Sequence, residues 1–339
     1  MINQTDVVII GTGPVGLFAI FQCGMVRLKC HAFDALSQVG GQCAALYPEK
    51  PIYDIPAHPK ILGEDLALNL ERQAAPFHPC YHLGEQVQTI IPLDSEGKLW
   101  RLTGNQGTVV ETKTIIIAAG VGSFGPNRPP LNDITAFEEG NSIHYFVRSR
   151  ETYRDKHIVI AGGGDSAVDW ALSLSELAAR ISLVHRRDKF KAAPESEHRL
   201  KRCVNEGKID LVTPYQLAGL HGTKGKLETV HIQSLNGEKK SIKADYLLPF
   251  FGLSMNLGPI AEWGLGLDHN HITVDPTTAA TNRAGIYAIG DIATYPHKLK
   301  LILTGFSEAA QAAHAIRRFL YPDDIIHFEY STTQGLPKT

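Results

Sequence analysis

The 339-residue sequence predicts an α/β protein with two Rossmann-like dinucleotide-binding domains. Each carries a small β-meander, and the second is inserted into the first. Three observations predict this. A strand, glycine turn, helix and strand at residues 5–35 recur at residues 156–188, each unit about 30 residues long. Each unit is followed by short strands and turns, then by an apolar run into glycine, "TIIIAAG" and "YLLPFFG". A further apolar strand, "GIYAIGDIA", and an Ala-rich helix, "LTGFSEAAQAAHAIRRFL", return after the second unit, which makes the first domain discontinuous. The expected boundaries are 1–121 and 254–321 for the first domain, 122–253 for the inserted one, and 322–339 for an extended tail.

In the first unit the strand "DVVIIG" runs into Gly11, Thr12, Gly13, Pro14 and, two residues on, Gly16. Gly11 allows the tight turn, Gly13 admits a pyrophosphate close to the backbone, and Gly16 lets helix pack on strand. Pro14 suits the first helical position. The helix N-terminus offers N–H groups and a positive dipole. Asp34, 23 residues after Gly11, ends the second strand, where a carboxylate accepts ribose hydroxyls. Short strands near "EQVQTI", "KLWRLTG" and "TVVETK" form the meander.

The second unit has Gly162, Gly164 and Ala167 as its G-x-G-x-x-A, with Asp165 and Ser166 opening the helix. The acid is replaced by "HRRDKFKA": His185, Arg186, Arg187 and Lys191. Arg186 stands 24 residues after Gly162, nearly the spacing of Asp34 from Gly11. Cations there suit a 2′-phosphate, which an acid would repel, so this site is expected to prefer NADPH. "IDLVTPYQL", "LETVHIQSL", an Asn236-Gly237 hairpin signal and "EKKSIKA" form its meander.

An acid-type site beside an NADPH site points to FAD in the first. Gly290-Asp291 at the end of "GIYAIGD" supports this, since a carboxylate at a strand end can hold the ribitol or pyrophosphate side of FAD. The following helix, with Ser307 or Thr304 as its expected N-cap, aims its dipole at the flavin.

Composition excludes other classes. Lys+Arg total 33 against Asp+Glu 35, without the basic excess of a nucleic-acid binder. Val7 to Val26 is uncharged, but its Gly-Thr-Gly-Pro breaks a membrane-spanning helix. Met1 and Ile2 are followed by Asn, Gln, Thr and Asp, unlike a secretory leader. The five cysteines (Cys23, Cys30, Cys43, Cys80 and Cys203) are scattered without a CxxC, so a reducing cytoplasm is expected. His78, Cys80 and His82 in "HPCYH" would share one strand face, but no fourth ligand is evident and a proline interrupts; no metal is expected.

Taken in order, "GTGPVGL", "GGQ", "GGGDSAVDWA", "HRRDKF" and "AIGD" resemble the low-molecular-weight thioredoxin reductase superfamily over nearly the whole chain. "ALYPEKPIYDI" and "YSTT" are similar to its thioredoxin-reductase-like ferredoxin–NADP(+) reductases. That resemblance implies FAD contacts at Asp34, Gln42, Tyr47, Val87, Phe124, Asp291 and Thr332. It implies Tyr47 on one isoalloxazine face, Tyr330 of the tail on the other, and a homodimer whose tail reaches the partner's flavin. Lys191 stands where these enzymes often have arginine, keeping charge but losing the bidentate fork. Thioredoxin reductases carry a Cys-x-x-Cys before the second fingerprint; here that place reads "HYFVRSRE", His144 to Glu151. In the glutathione-reductase-like relatives a cysteine pair lies near the Gly-Gly turn; here Cys43 has Pro48 in its partner's place.

The expected activity is therefore electron transfer between NADPH and ferredoxin or flavodoxin through FAD, with no thiol relay. Hydride transfer needs aligned rings more than an acid or base, so no catalytic side chain is assigned beyond the stacking tyrosines. Alternatives are an NADPH dehydrogenase for quinones or other small acceptors, and a redox-sensing flavoprotein. Linkers are expected near Val121–Gly125 and Gly252–Asn256, allowing the domains to rotate. Lys298 and Lys300, or Arg148, Arg150 and Arg154, are candidate docking cations.

Overall fold

The run Val7–Val8–Ile9–Ile10 is apolar at every position, which suits a strand covered on both faces. In the computed structural model, which describes residues 3–324 and Gly335 apart from the side chains of Ser123, Phe124 and Leu253, this run ends β1 (Asn3–Ile10). β2 (Cys30–Asp34) pairs with it in parallel, and β3 (Cys80–Leu83) pairs with β2 in parallel. On the other side β4 (Val87–Pro92), β5 (Trp100–Gly104) and β6 (Val109–Ile117) form the meander. The sheet order is β3-β2-β1-β6-β5-β4. The third meander strand and the apolar run "TIII", expected as separate strands, are one strand here. β6 pairs with β5 through Val109–Thr112 and lies along the whole of β1.

The division into units falls at 124/125 and 254/255: Met1–Phe124 with Met255–Thr339, and Gly125–Ser254. Both crossings lie in the glycine-containing segments expected as linkers. In the second unit β7 (His157–Ala161), β8 (Arg180–Val184), β9 (Ile209–Val212) and β13 (Tyr246–Pro249) make a parallel sheet of order β9-β8-β7-β13. β10 (Tyr215–Thr223), β11 (Lys226–Ser234) and β12 (Lys239–Lys243) form its antiparallel meander. "IDLVTPYQL" is thus two strands in two sheets, broken at Pro214, which has no N–H to offer a ladder. Asn236-Gly237 turns β11 into β12, with Gly237 at φ 86°.

The chain then returns to the first unit, where β14 (Ile286–Ala288) pairs with the end of β6 at Ile115–Ile117. The helices Pro14–Met25, Gly63–Ala74 and Ile302–Leu320 cover one sheet face, packing Leu17, Ile20, Leu66, Leu70 and Ile316 against Val7 and Ile9. Leu257, Ile260 and Trp263 pack against Val8, Ile10 and Leu102 on the other. The last helix buries Ala309, Ala312, Ala313 and Ile316, the i, i+3, i+4, i+7 stripe that lets it approach closely. It starts earlier than expected, at Ile302, so Thr304 and Ser307 lie inside it and no side chain caps it. Among the described residues no helix is long and apolar enough to cross a membrane, and Gly11–Gly13 splits the Val7–Val26 run into strand and helix. Tyr330, Thr332 and most of the 322–339 tail lie outside the described residues.

Burial holds the imidazoles of His144, His185, His271 and His314 below the ordinary value of 6.5. The unfolded chain therefore binds protons first as pH falls, and stability present above 6.5 is lost on the way down. Thermal unfolding followed from about pH 8 to about pH 5.5 should show a falling Tm before the carboxylates titrate.

Candidate functional site

The first glycine turn is built by backbone contacts that no side chain tolerates. Gly11 sits at φ 103°, where a Cβ would lie 2.4 Å from the Ala118 carbonyl oxygen. A Cβ on Gly16 would stand 1.9 Å from the Gly11 carbonyl oxygen, so helix and strand meet there without side chains. Gly13 differs: a Cβ there would make only an ordinary contact, 3.9 Å from Gly41 Cα. It caps the Pro14 helix without a side-chain bond. Gly13 and Pro14 line a cleft of about 290 Å³, and Leu301 and Ile302 of the last helix line it too. Two helix N-termini without side-chain caps thus meet at one cleft, an arrangement suited to a pyrophosphate.

Asp34 lines the cleft but also serves the fold. Its Oδ2 accepts hydrogen bonds from the Thr12 backbone N–H and hydroxyl, both at 2.7 Å, and Oδ1 accepts from the Leu36 N–H at 2.9 Å. The carboxylate ties the glycine turn to the end of β2. A carboxylate offers about four lone-pair sites, so Oδ1 retains one acceptor site beyond these three bonds. Thr12 itself is fully buried and holds the turn from inside.

Gln42, Tyr47, Val87 and Asp291, expected at the flavin, all line the same cleft. Phe124 has its side chain outside the described residues. Leu257, Ile260 and Trp263 add an apolar wall. An apolar wall, paired helix N-termini and a carboxylate at the β2 end fit FAD.

Cys43 is buried and its thiol donates to the Tyr47 hydroxyl at 3.6 Å. Burial pushes that thiol up to about 11, so it is not a thiolate at neutral pH. Burial likewise pushes the Tyr47 hydroxyl far above its ordinary value, which keeps it neutral. A second cysteine neighbour escaped the spacing argument: Cys30 in β2 donates to the Leu28 carbonyl at 3.9 Å, and Cys23 of the Pro14 helix beside it, together with burial, raises its thiol well above the ordinary value. Both are buried in the core and neither lines the cleft.

Gly290-Asp291 is held by a buried network. Glu308, 2% exposed, accepts from the Gly290 N–H at 2.7 Å through Oε2 and from the Tyr295 hydroxyl at 2.8 Å through Oε1. Lys298 Nζ lies 2.6 Å from Glu308 Oε1 and donates to the Gly290 carbonyl at 2.7 Å. Both polar groups of Gly290, at φ 71°, are therefore clamped. This corrects the reading of Lys298 as a surface docking cation: its side chain is 4% exposed. The sequence carried a signal, because Glu308 shares the helical stripe of Gly305, Ala309 and Ala312. Lys300 is exposed, with Nζ 2.7 Å from His271 Nε2. Of the other candidates, Arg150 pairs with Glu176 and Arg154 with Glu151, while Arg148 is exposed.

In the second unit a Cβ on Gly162 would stand 2.6 Å from the Phe250 carbonyl oxygen. Gly164 caps the helix Asp165–Leu174 without a side-chain bond, and Ala167 is fully buried beneath it. Asp165 Oδ1 accepts from the Ala193 N–H at 2.9 Å, while Ser166 is exposed at the helix start. The Lys191 N–H donates to the Gly163 carbonyl at 2.7 Å, which folds the basic loop onto the glycine turn. Arg186, Arg187 and Lys191 are exposed, and no carboxylate pairs with them among the described residues. His185 plays another part than the expected cation. Its ring fills the space a Gly163 Cβ would need, at 2.2 Å, and burial with Arg186 nearby keeps it neutral at pH 7.

Two dinucleotide folds, one cleft fitted to a flavin and one turn flanked by free cations, define a two-nucleotide oxidoreductase. Residues 5–316 match the model of the pyridine nucleotide-disulphide oxidoreductases, and the chain belongs to that family. A ferredoxin–NADP reductase of Paramagnetospirillum magneticum is 59% identical, covering 99% of both chains. One from Rhodospirillum rubrum is 56% identical over 98% of this chain and 97% of its own. Among solved structures, a Lactococcus lactis thioredoxin reductase superposes with a TM-score of 0.79 at 25% identity, covering 94% of this chain and 99% of its own. That of T. acidophilum superposes at 0.80 with 22% identity, over 93% and 98%, and shares the fold.

Removing the Glu308 charge leaves Lys298 buried without its counter-ion. Glu308→Gln should lower unfolding free energy by about 3–5 kcal/mol in urea titrations. A Lys298→Met, Glu308→Leu double substitution should regain part of that loss.

Proposed function

We propose that this chain moves electrons between NADPH and ferredoxin or flavodoxin through bound FAD. The observation that carries the reading is full-length identity of 59% to a ferredoxin–NADP reductase. The cleft agrees with it: its one lining cysteine, Cys43, is a neutral thiol bonded to Tyr47, which leaves no thiol relay there.

In this reading Gly11, Thr12, Gly13 and Gly16 form the pyrophosphate turn, and Asp34 takes a ribose hydroxyl. Gln42, Val87, Phe124 and Asp291 contact the flavin. Tyr47 covers one ring face, excluding water while staying neutral; Tyr330 and Thr332 of the tail serve the other face across a homodimer. Gly162, Gly164, Asp165, Ser166 and Ala167 form the second turn. Arg186, Arg187 and Lys191 take the 2′-phosphate, and His185 orders their loop by packing on Gly163. Bound FAD supplies the chemistry that converts a two-electron donor into single-electron steps. The clamp on Gly290 holds Asp291 in place without moving a proton. The enzyme works in the cytoplasm, in keeping with its five free cysteines.

Replacing Arg186 by Ala should raise the KM for NADPH about 10- to 100-fold, the worth of one lost charge-assisted hydrogen bond, and leave that for NADH nearly unchanged. Purified protein should oxidise NADPH with ferredoxin or flavodoxin, at rates that Cys43→Ala leaves intact. Added salt should raise the KM for ferredoxin. Turnover with thioredoxin alone would overturn the reading, and turnover confined to quinones would favour the small-acceptor alternative.

A further inference from the structure

Strand register gathers three metal-ligating side chains at one edge of the first unit's sheet. β2 and β3 run in parallel with His31 beside Cys80 and Phe33 beside His82. Side chains two apart on a strand share a face, so Cys80, His82 and His31 project together. His31 Nδ1 lies 3.0 Å from His82 Nε2, and Cys80 Sγ lies 3.8 Å from that same nitrogen. One ligand atom from each of the three residues lies within 4.8 Å of the other two. A tetrahedral zinc site with ordinary Zn–N and Zn–S bonds sets such atoms about 3.3–3.6 Å apart. The cluster therefore needs only small side-chain shifts to close on an ion.

The site is also built and reachable. Phe33 is fully buried and stacks on the His82 ring with centroids 4.3 Å apart, which gives that ring a fixed back wall. His31 and His82 are half-buried, and Cys80 is exposed, so an ion has a path in. None of the three lines the dinucleotide cleft. His78, grouped with Cys80 and His82 on sequence alone, ends the turn Ala75–Phe77 at φ 50° and stands outside the cluster. The third ligand comes from a strand 49 residues earlier in the chain, where local spacing does not point.

We propose that His31, Cys80 and His82 bind one borderline-soft divalent cation, of the Zn²⁺ or Co²⁺ class, with water as fourth ligand. Two imidazoles and a thiolate favour such ions over Mg²⁺ or Ca²⁺, which take oxygen ligands. On binding, the Cys80 thiol proton leaves to solvent. The proton shared between the two rings moves to an outer ring nitrogen, and both facing nitrogens turn their lone pairs to the ion. No electrons are transferred.

The test uses the full chain with its flavin. Equilibrium dialysis against Zn²⁺ should load one ion per chain, and Co²⁺ should show the intense visible bands of tetrahedral cobalt beyond the flavin absorption. Cys80→Ser and His82→Gln should each weaken binding at least about tenfold, since even outer-shell losses reach that size. His78→Gln and Cys203→Ser should leave it unchanged. In the unmutated protein, Zn²⁺ should protect Cys80 from alkylation, mapped by mass spectrometry, which keeps the test independent of how the variants fold. Sub-stoichiometric loading, an octahedral cobalt spectrum, alkylation of Cys80 indifferent to Zn²⁺, or binding indifferent to both ligand substitutions would each overturn the proposal.

Discussion

The contact between Gly16 and the Gly11 carbonyl oxygen is the constraint on which the first unit depends. A side chain at Gly16 would overlap that oxygen at 1.9 Å, so helix and strand meet only because neither carries one there. That approach sets the helix N-terminus at the carboxyl end of β1, where its N–H groups face the cleft. Asp34 then locks the turn by accepting from Thr12 twice. The same carboxylate that marks the ligand site in sequence is half committed to holding the turn open.

The second unit repeats the geometry with the opposite charge. Its loop folds over the glycine turn through the Lys191 N–H and the His185 ring, and leaves Arg186 and Arg187 exposed, without carboxylate partners among the described residues. Two copies of one backbone solution thus differ in charge at a single strand end, an acid in one and a basic loop in the other; in the proposed reading that difference sorts the ligands. Coulomb interaction across a few ångströms is strong enough to sort a ribose hydroxyl from a phosphate, while the turns themselves only recognise a pyrophosphate.

Burial decided the meaning of several charged and reactive groups. Lys298 and Glu308 would both be solvated on a free surface. Inside the first unit they neutralise each other and satisfy the two backbone groups of Gly290. Removing either alone is costly because the other stays buried. Cys43 follows the same rule: low polarity around it disfavours the thiolate, so its place in the cleft lining does not make it a nucleophile.

Local sequence determined the two strand–turn–helix units, the insertion of one domain in the other, and the identity of each strand-end charge. Those features rest on glycine sterics, hydrophobic period and residue type, all of which are short-range. Tertiary structure alone decided that Lys298 is interior, that His185 packs rather than binds as a cation, and that Cys23 meets Cys30. It also decided that His31, and not His78, joins Cys80 and His82. Each of these depends on side chains brought together by strand register and helix docking between segments far apart in the chain. Periodicity places a residue on a face of its own element; which partner that face meets is settled only when the elements pack.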